Sequence, residues 1–133
     1  MKLTKKGYMK RLIDDMIKEN LNIFGAISIE GPKWCGKTWT ALNHSNSVTY
    51  LNNTADNFRE KHLAEMDVNL VLDKDAPELI DEWQEVPAIW DAVRFKCDKE
   101  NKKGKYILTG SSVPVSDKIH HSGAGRICKM KMY

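Results

Sequence analysis

Apolar residues recur along this chain in two alternating rhythms. Tyr8, Leu12, Ile13, Met16, Ile17 and Leu21 fall on one stripe at helical spacing, which predicts a helix over residues 5–19, ended by Asn22-Ile-Phe-Gly25. Ala26-Ile-Ser-Ile-Glu30 is a short β-type run closed by Gly31-Pro32. Residues 37–43 suit a helix, and Val48-Thr-Tyr-Leu51 reads as a second strand. Thr54 is placed to cap a helix reaching about Met66, with Ala55, Phe58 and His62 on one face. Asn69-Leu-Val-Leu72 reads as a strand or as the tail of that helix, and Glu78-Leu-Ile-Asp81 is a third strand. Pro87 suits the first turn of a helix whose Val86, Ile89, Trp90, Val93 and Cys97 share a face, closed by Asn101–Gly104. Lys105–Thr109 is a fourth strand, residues 115–122 a short helix, and Ile127–Tyr133 a last strand.

Strand and helix alternating in this way predict an α/β three-layer sandwich, a parallel sheet with helices on both faces. The 133 residues, 41% of them hydrophobic, suffice for one domain with its own core and need no disulfide or metal staple. Cys35, Cys97 and Cys128 are odd in number, widely spaced and form no CxxC, which argues against a disulfide scaffold or zinc site and for a reducing, cytoplasmic setting. The basic start has no apolar run behind it, and no run approaches membrane-spanning length, so no membrane partner is expected. Net charge is +3 and unevenly placed, with +3 over residues 1–20, −7 over 54–86 and +6 over 91–133 among its larger blocks. A solvated mixed surface accounts for this better than a nucleic-acid patch does, although the basic C-terminal third leaves nucleic acid as a candidate partner.

Gly31-Pro32-Lys33-Trp34-Cys35-Gly36-Lys37-Thr38 matches GxxxxGK[ST] between a predicted strand and a predicted helix. The pattern has a mechanism. Gly36 lets the backbone curl so that N–H groups point inward, and the helix start adds its positive end. Lys37 would reach the β- and γ-phosphates, and Thr38 would offer a hydroxyl to Mg²⁺. The eight loop residues and the adjoining Trp39 form the candidate nucleotide-binding set. Trp34 reads as packing on the sheet edge ahead of shielding phosphates, and Cys35 as a small spacer ahead of a redox thiol.

Leu79-Ile80-Asp81-Glu82 is an apolar run ending in two acids, the form of a Walker B segment. Asp81 would hold Mg²⁺ and Glu82 would polarise an attacking water, with Glu85 a competitor expected to face solvent. Trp83 and Gln84 carry no chemical role that the sequence reveals. Thr109 and Ser111, at the end of the fourth strand, are candidates to sense the γ-phosphate or the water, against ordinary turn chemistry. Arg126 reads as a charge-stabilising arginine, in cis or across an oligomer interface, or as a loop cap. The adjacent His120 and His121 suit a surface or helix end more than a metal site.

Taken in order, Gly25–Thr38, Leu79-Ile-Asp-Glu-Trp-Gln84, Ile107-Leu-Thr-Gly-Ser-Ser112 and His121-Ser-Gly-Ala-Gly-Arg-Ile127 resemble the AAA-type ATPase domain of bacterial and archaeal proteins described only as ATP-binding. In that family a C-terminal domain with a restriction-endonuclease-like look follows. The resemblance covers roughly residues 8–133. It implies a five-stranded parallel sheet of order 5-1-4-3-2, ATP with Mg²⁺, and the Walker A role for Lys37 and Thr38. It further implies Walker B at Asp81 and Glu82, sensor 1 at Thr109–Ser111 and the finger position at Arg126. Family members continue into a lid and the C-terminal domain, whereas this sequence stops at Tyr133. Residues 1–133 therefore read as the N-terminal core of a longer protein, with residues 1–24 as its leading helix, no lid, and weak or no hydrolysis alone. The expected function is ATP binding with Mg-dependent hydrolysis. The alternatives are a nucleotide-gated module acting on nucleic acid or a partner protein, and, less favoured because of the paired acids, a P-loop kinase.

Overall fold

A strand buried on both faces must be apolar on both, and the central runs of this chain are. The computed structural model describes residues 12–33, 35–111 and 127–132. They form α1 (Leu12–Leu21), β1 (Ala26–Gly31), α2 (Lys37–Leu42), β2 (Ser47–Tyr50), α3 (Arg59–Met66), β3 (Glu78–Asp81), α4 (Ala88–Glu100), β4 (Tyr106–Ser111) and β5 (Ile127–Lys131). All strand pairs are parallel, in the order β2-β3-β4-β1-β5, which is the predicted 5-1-4-3-2 order read from the opposite edge.

The twofold alternation of the strands sorts their side chains into two cores. Ile27, Ile29, Leu79, Ile107 and Met130 face one way and pack with Ile17 of α1 and with Ala41 and Leu42 of α2. Ala26, Ile80, Tyr106, Leu108 and Ile127 face the other way and meet Ala64 of α3 and Ile89, Trp90, Val93 and Cys97 of α4. Helices thus cover both faces. The predicted apolar face of α4 is buried as read, with Trp90 1% exposed. Gly25 is needed at the entry to β1, because a Cβ there would lie 2.7 Å from Cys97 Cβ. Among the described residues no helix is long and apolar enough to cross a membrane.

Four local expectations are corrected. The predicted helix from Thr54 is broken: Asn53, not Thr54, caps a 3₁₀ turn over Thr54–Asp56 by accepting the Ala55 N–H at 3.0 Å. Asn57 (φ 62°) and Phe58 (φ 57°) then take left-handed backbone, and α3 starts only at Arg59. The expected face is lost with that break, since Ala55 and His62 are exposed and Ala64 turns inward. Residues 67–72 are neither strand nor helix tail but a 3₁₀ turn, Val68–Leu70, capped by the Asp67 carboxylate. On α1 the inward line is Ile17, fully buried, flanked by the partly buried Ile13 and Leu21, whereas Leu12 and Met16 are 78% and 47% exposed. The position beside that line belongs to a polar group, Asp14, which is buried against His44 at 2.6 Å. Tyr8 and residues 115–122 lie outside the described residues.

Candidate functional site

The crevice is built where β1, β4 and β3 lie side by side and end together. Gly31 sits opposite Ser111, and Thr109 opposite Asp81, so register alone brings the ends of three strands into line. The chain leaves β1 at Gly31, whose lack of a side chain is required: a Cβ there would sit 2.8 Å from both Cys35 Sγ and the Met132 carbonyl oxygen. Pro32 and Lys33 are exposed, and the Cys35 N–H returns to the Pro32 carbonyl at 3.3 Å. Gly36 adopts φ 89°, the left-handed conformation glycine takes at little cost, and turns the chain into α2.

That turn sends Lys37 inward. The side chain is 5% exposed, with Nζ 3.5 Å from the Pro32 carbonyl oxygen and 3.6 Å from Glu82 Oε1. Thr38, one residue on, donates its hydroxyl to Asp81 Oδ1 at 2.7 Å. Trp39 is 43% exposed.

The acidic side of the crevice comes from β3 and the turn after it. Asp81 Oδ1 also accepts the Thr109 hydroxyl at 2.7 Å, and the same Thr109 oxygen accepts the Glu82 N–H at 3.2 Å. Burial pushes the Asp81 carboxyl above its usual range, while the Thr109 and Thr38 hydroxyls pull it back; the neighbouring Glu82 raises it and Lys37 lowers it. Burial likewise raises the Tyr50 hydroxyl, with Asp81 adding to the effect.

Glu82 itself sits in left-handed backbone (φ 60°, ψ 54°) and starts a 3₁₀ turn, Trp83–Glu85. A non-glycine residue in that region is strained, and such strain persists only where surroundings over-determine it. Here the Trp83 ring supplies that constraint: it is buried and packs 5.0 Å from the Trp90 ring, centroid to centroid. The Glu82 carboxylate meets Lys37 on one oxygen, Gln84 Nε2 at 2.5 Å on the other, and the Ser111 hydroxyl at 3.2 and 3.4 Å.

The structure thus brings together Lys37, Thr38, Asp81, Glu82, Thr109 and Ser111 from four elements. Glu85, the competitor, is held half-buried by Lys61 of α3 at 3.2 Å instead of facing open solvent. Trp34 and Arg126 lie outside the described residues, as do Ser112, His120 and His121. Two residues gain a place the sequence did not signal: Trp83 is a core anchor, and Gln84 touches the Glu82 carboxylate. Among the described residues no three His, Cys, Asp or Glu side chains cluster to hold a metal by themselves.

A glycine-turned loop whose lysine and threonine converge on strand-end acids defines a P-loop core. Residues 24–133 match the model of the AAA domain family, and the chain belongs to that family. The structure of C. elegans PCH-2 is similar at 13% identity with a TM-score of 0.40, over 90% of this chain. The chain spans 40% of that protein's length. No curated protein matches the sequence.

Proposed function

We propose that this chain binds ATP with Mg²⁺ in the crevice and provides the groups for its hydrolysis. The observation that carries the reading is the convergence of Lys37 and Thr38, at the start of α2, on Asp81 at the end of β3 and Glu82 just after it. The Thr38 hydroxyl and the Asp81 carboxylate lie 2.7 Å apart, a small set of hard oxygen donors. That set fits Mg²⁺, which keeps several waters and takes one or two protein oxygens besides phosphate oxygens. The ion, when bound, neutralises charge on the phosphates.

The protein's own groups divide the remaining work. Lys37 leaves Glu82 to meet phosphate oxygens, and the backbone turned at Gly36 presents N–H groups to the same anion. Glu82 orients a water and takes its proton as the water oxygen bonds to the γ-phosphorus. The bond from that phosphorus to the bridging oxygen breaks, leaving ADP and phosphate. Thr109, bonded to both Asp81 and the Glu82 backbone, fixes the two acids relative to one another, and Ser111 steadies the Glu82 carboxylate. Arg126 retains its proposed place as the finger, within the chain or across an oligomer interface.

Glu82→Gln tests the catalytic part. The variant should still bind Mg-ATP while turnover falls by about 100-fold or more, the range of a lost general base. Turnover equal to the unsubstituted chain's would sink the assignment of Glu82.

A further inference from the structure

We infer that Gln84 is a positioning residue for the Glu82 carboxylate, fixing one oxygen so that the other faces the phosphate seat. The inference rests on the hydrolytic reading of Glu82 above and adds a residue to it. A glutamate has three side-chain torsions, and a general base is effective only when its free oxygen meets the water at the right angle. The opposite oxygen must be held, and the geometry points to the Gln84 amide as its shorter contact, beside the Ser111 hydroxyl.

Three observations converge. Gln84 Nε2 donates to Glu82 Oε2 at 2.5 Å, while Glu82 Oε1 lies 3.6 Å from Lys37 Nζ, on the side where Lys37 would meet phosphate. Oε2 is thus the more tightly held oxygen, taking the Gln84 amide and the nearer approach of the Ser111 hydroxyl at 3.2 Å, while Oε1, 3.4 Å from that hydroxyl, is the one turned toward Lys37. Next, the amide can point only one way. Gln84 Oε1 is buried with no hydrogen-bond partner among the described residues, and a Cβ built on Gly110 would sit 3.0 Å from it. Flipping the amide would set a carbonyl oxygen against a carboxylate and leave the Nε2 donors facing Gly110. The repulsion with Glu82 selects the observed orientation, at the cost of an unpaired carbonyl. Last, the distance between the two residues is fixed by the backbone. The 3₁₀ turn Trp83–Glu85 returns the Glu85 N–H to the Glu82 carbonyl at 3.1 Å, and Trp83 anchors it in the core. Residues 82 and 84 thereby keep a single relation, whether or not Lys37 is drawn away.

Gly110 belongs to the same device. A Cβ there would lie 2.9 Å from Trp83 Nε1 as well as 3.0 Å from Gln84 Oε1, so only glycine leaves room for both. The Gly-Ser pair ending β4 therefore does two things: Gly110 admits the amide and Ser111 bonds the carboxylate.

The test uses the full chain with Gln84→Met, which keeps the volume and removes the donor, and Gln84→Glu, which keeps the shape and puts an acceptor where the donor stood. Each should lower kcat by about tenfold or more; the neutral Gln84→Met should leave ATP affinity within about twofold, because only the aim of Glu82 changes, whereas Gln84→Glu also adds a charge beside Glu82 and is read on kcat alone. Unchanged kcat in both variants overturns the inference, as does a parallel loss of affinity and melting temperature with no separate effect on kcat. Loss of folding in one variant leaves the other to report. Glu82→Gln is run alongside. If it too hydrolyses normally, the reading of Glu82 fails; if it alone is inactive, only the role of Gln84 fails. A second readout needs no turnover: the Gln84 side-chain amide proton resonances, measured without nucleotide. One proton should be shifted downfield by the carboxylate and return toward the open-solvent position in Glu82→Ala. Identical Gln84 resonances in the two proteins would overturn the contact on which the inference stands.

Discussion

The four residues of β3 carry carboxylates at both ends, and the two ends have opposite fates. Glu78, at the N-terminal end, is fully buried; Thr49 donates its hydroxyl at 2.8 Å and the Lys74 N–H donates at 3.3 Å. Burial there pushes the carboxyl from its usual 4.5 up to about 7, against those two donors. Asp81, at the C-terminal end, is also raised by burial and also accepts from threonine hydroxyls. The difference is what else converges. The cation acting on Glu78 is Lys74, whose Nζ pairs with Glu60 instead. The Asp81 end gathers Lys37, Thr38, Glu82, Thr109 and Ser111 from separate elements. Burial alone therefore does not distinguish the two acids. Convergence of groups from several elements does, and the parallel topology places the strand ends together.

Amide substitutions separate the two ends. Asp81→Asn should have the largest effect on function. Its Oδ1 can still accept both threonine hydroxyls, so melting temperature should hold or rise, while Mg-dependent ATP turnover falls by about 100-fold or more. A variant that keeps full turnover would place the metal elsewhere.

Glu78→Gln should do the reverse, altering stability and sparing nucleotide binding. The folded chain retains a proton at Glu78 up to about pH 7, whereas the unfolded chain releases it near 4.5. The stability this group contributes is fully present below about 4.5 and is lost as pH rises through 7. Glutamine removes that loss, since its oxygen can take the Lys74 N–H and its amide can donate to Thr49. Denaturant unfolding should show a gain on the order of 1–3 kcal/mol at pH 8 and little change at pH 5. Equal effects at both pH values would mean that ionisation of Glu78 is not the cause.

Gly110→Ala ranks next. The added methyl meets the Trp83 ring, which cannot give way without disturbing Trp90, so a loss of about 1–3 kcal/mol is expected by chemical denaturation. Leu12→Ser should be the smallest change, within about 0.5 kcal/mol, because Leu12 lies on the exposed side of α1. A larger loss there would mean that the side chain is covered in solution.

The same contrast governs how much could be read before the structure. The phosphate loop, the acidic pair and the buried face of α4 were legible because each is a contiguous or periodic pattern whose geometry follows from local rules. The sheet order followed from the family resemblance and is borne out. The break at Asn57 and Phe58 was not legible, since two successive left-handed residues without glycine oppose local preference. Asp14 and His44 stand thirty positions apart, and only packing of α1 on the sheet joins them. Gln84 gave no signal because its meaning depends on the turn that starts with left-handed Glu82 and on the space left by Gly110, twenty-six positions away.

The most direct measurement is calorimetric titration of Mg-ATP into the chain and into Lys37→Ala, with melting temperatures recorded for both. The account predicts that the unsubstituted chain binds, that Lys37→Ala loses about 100-fold or more in affinity, and that its fold persists. Equal affinity in the two folded proteins would contradict the assignment of this crevice as the nucleotide site.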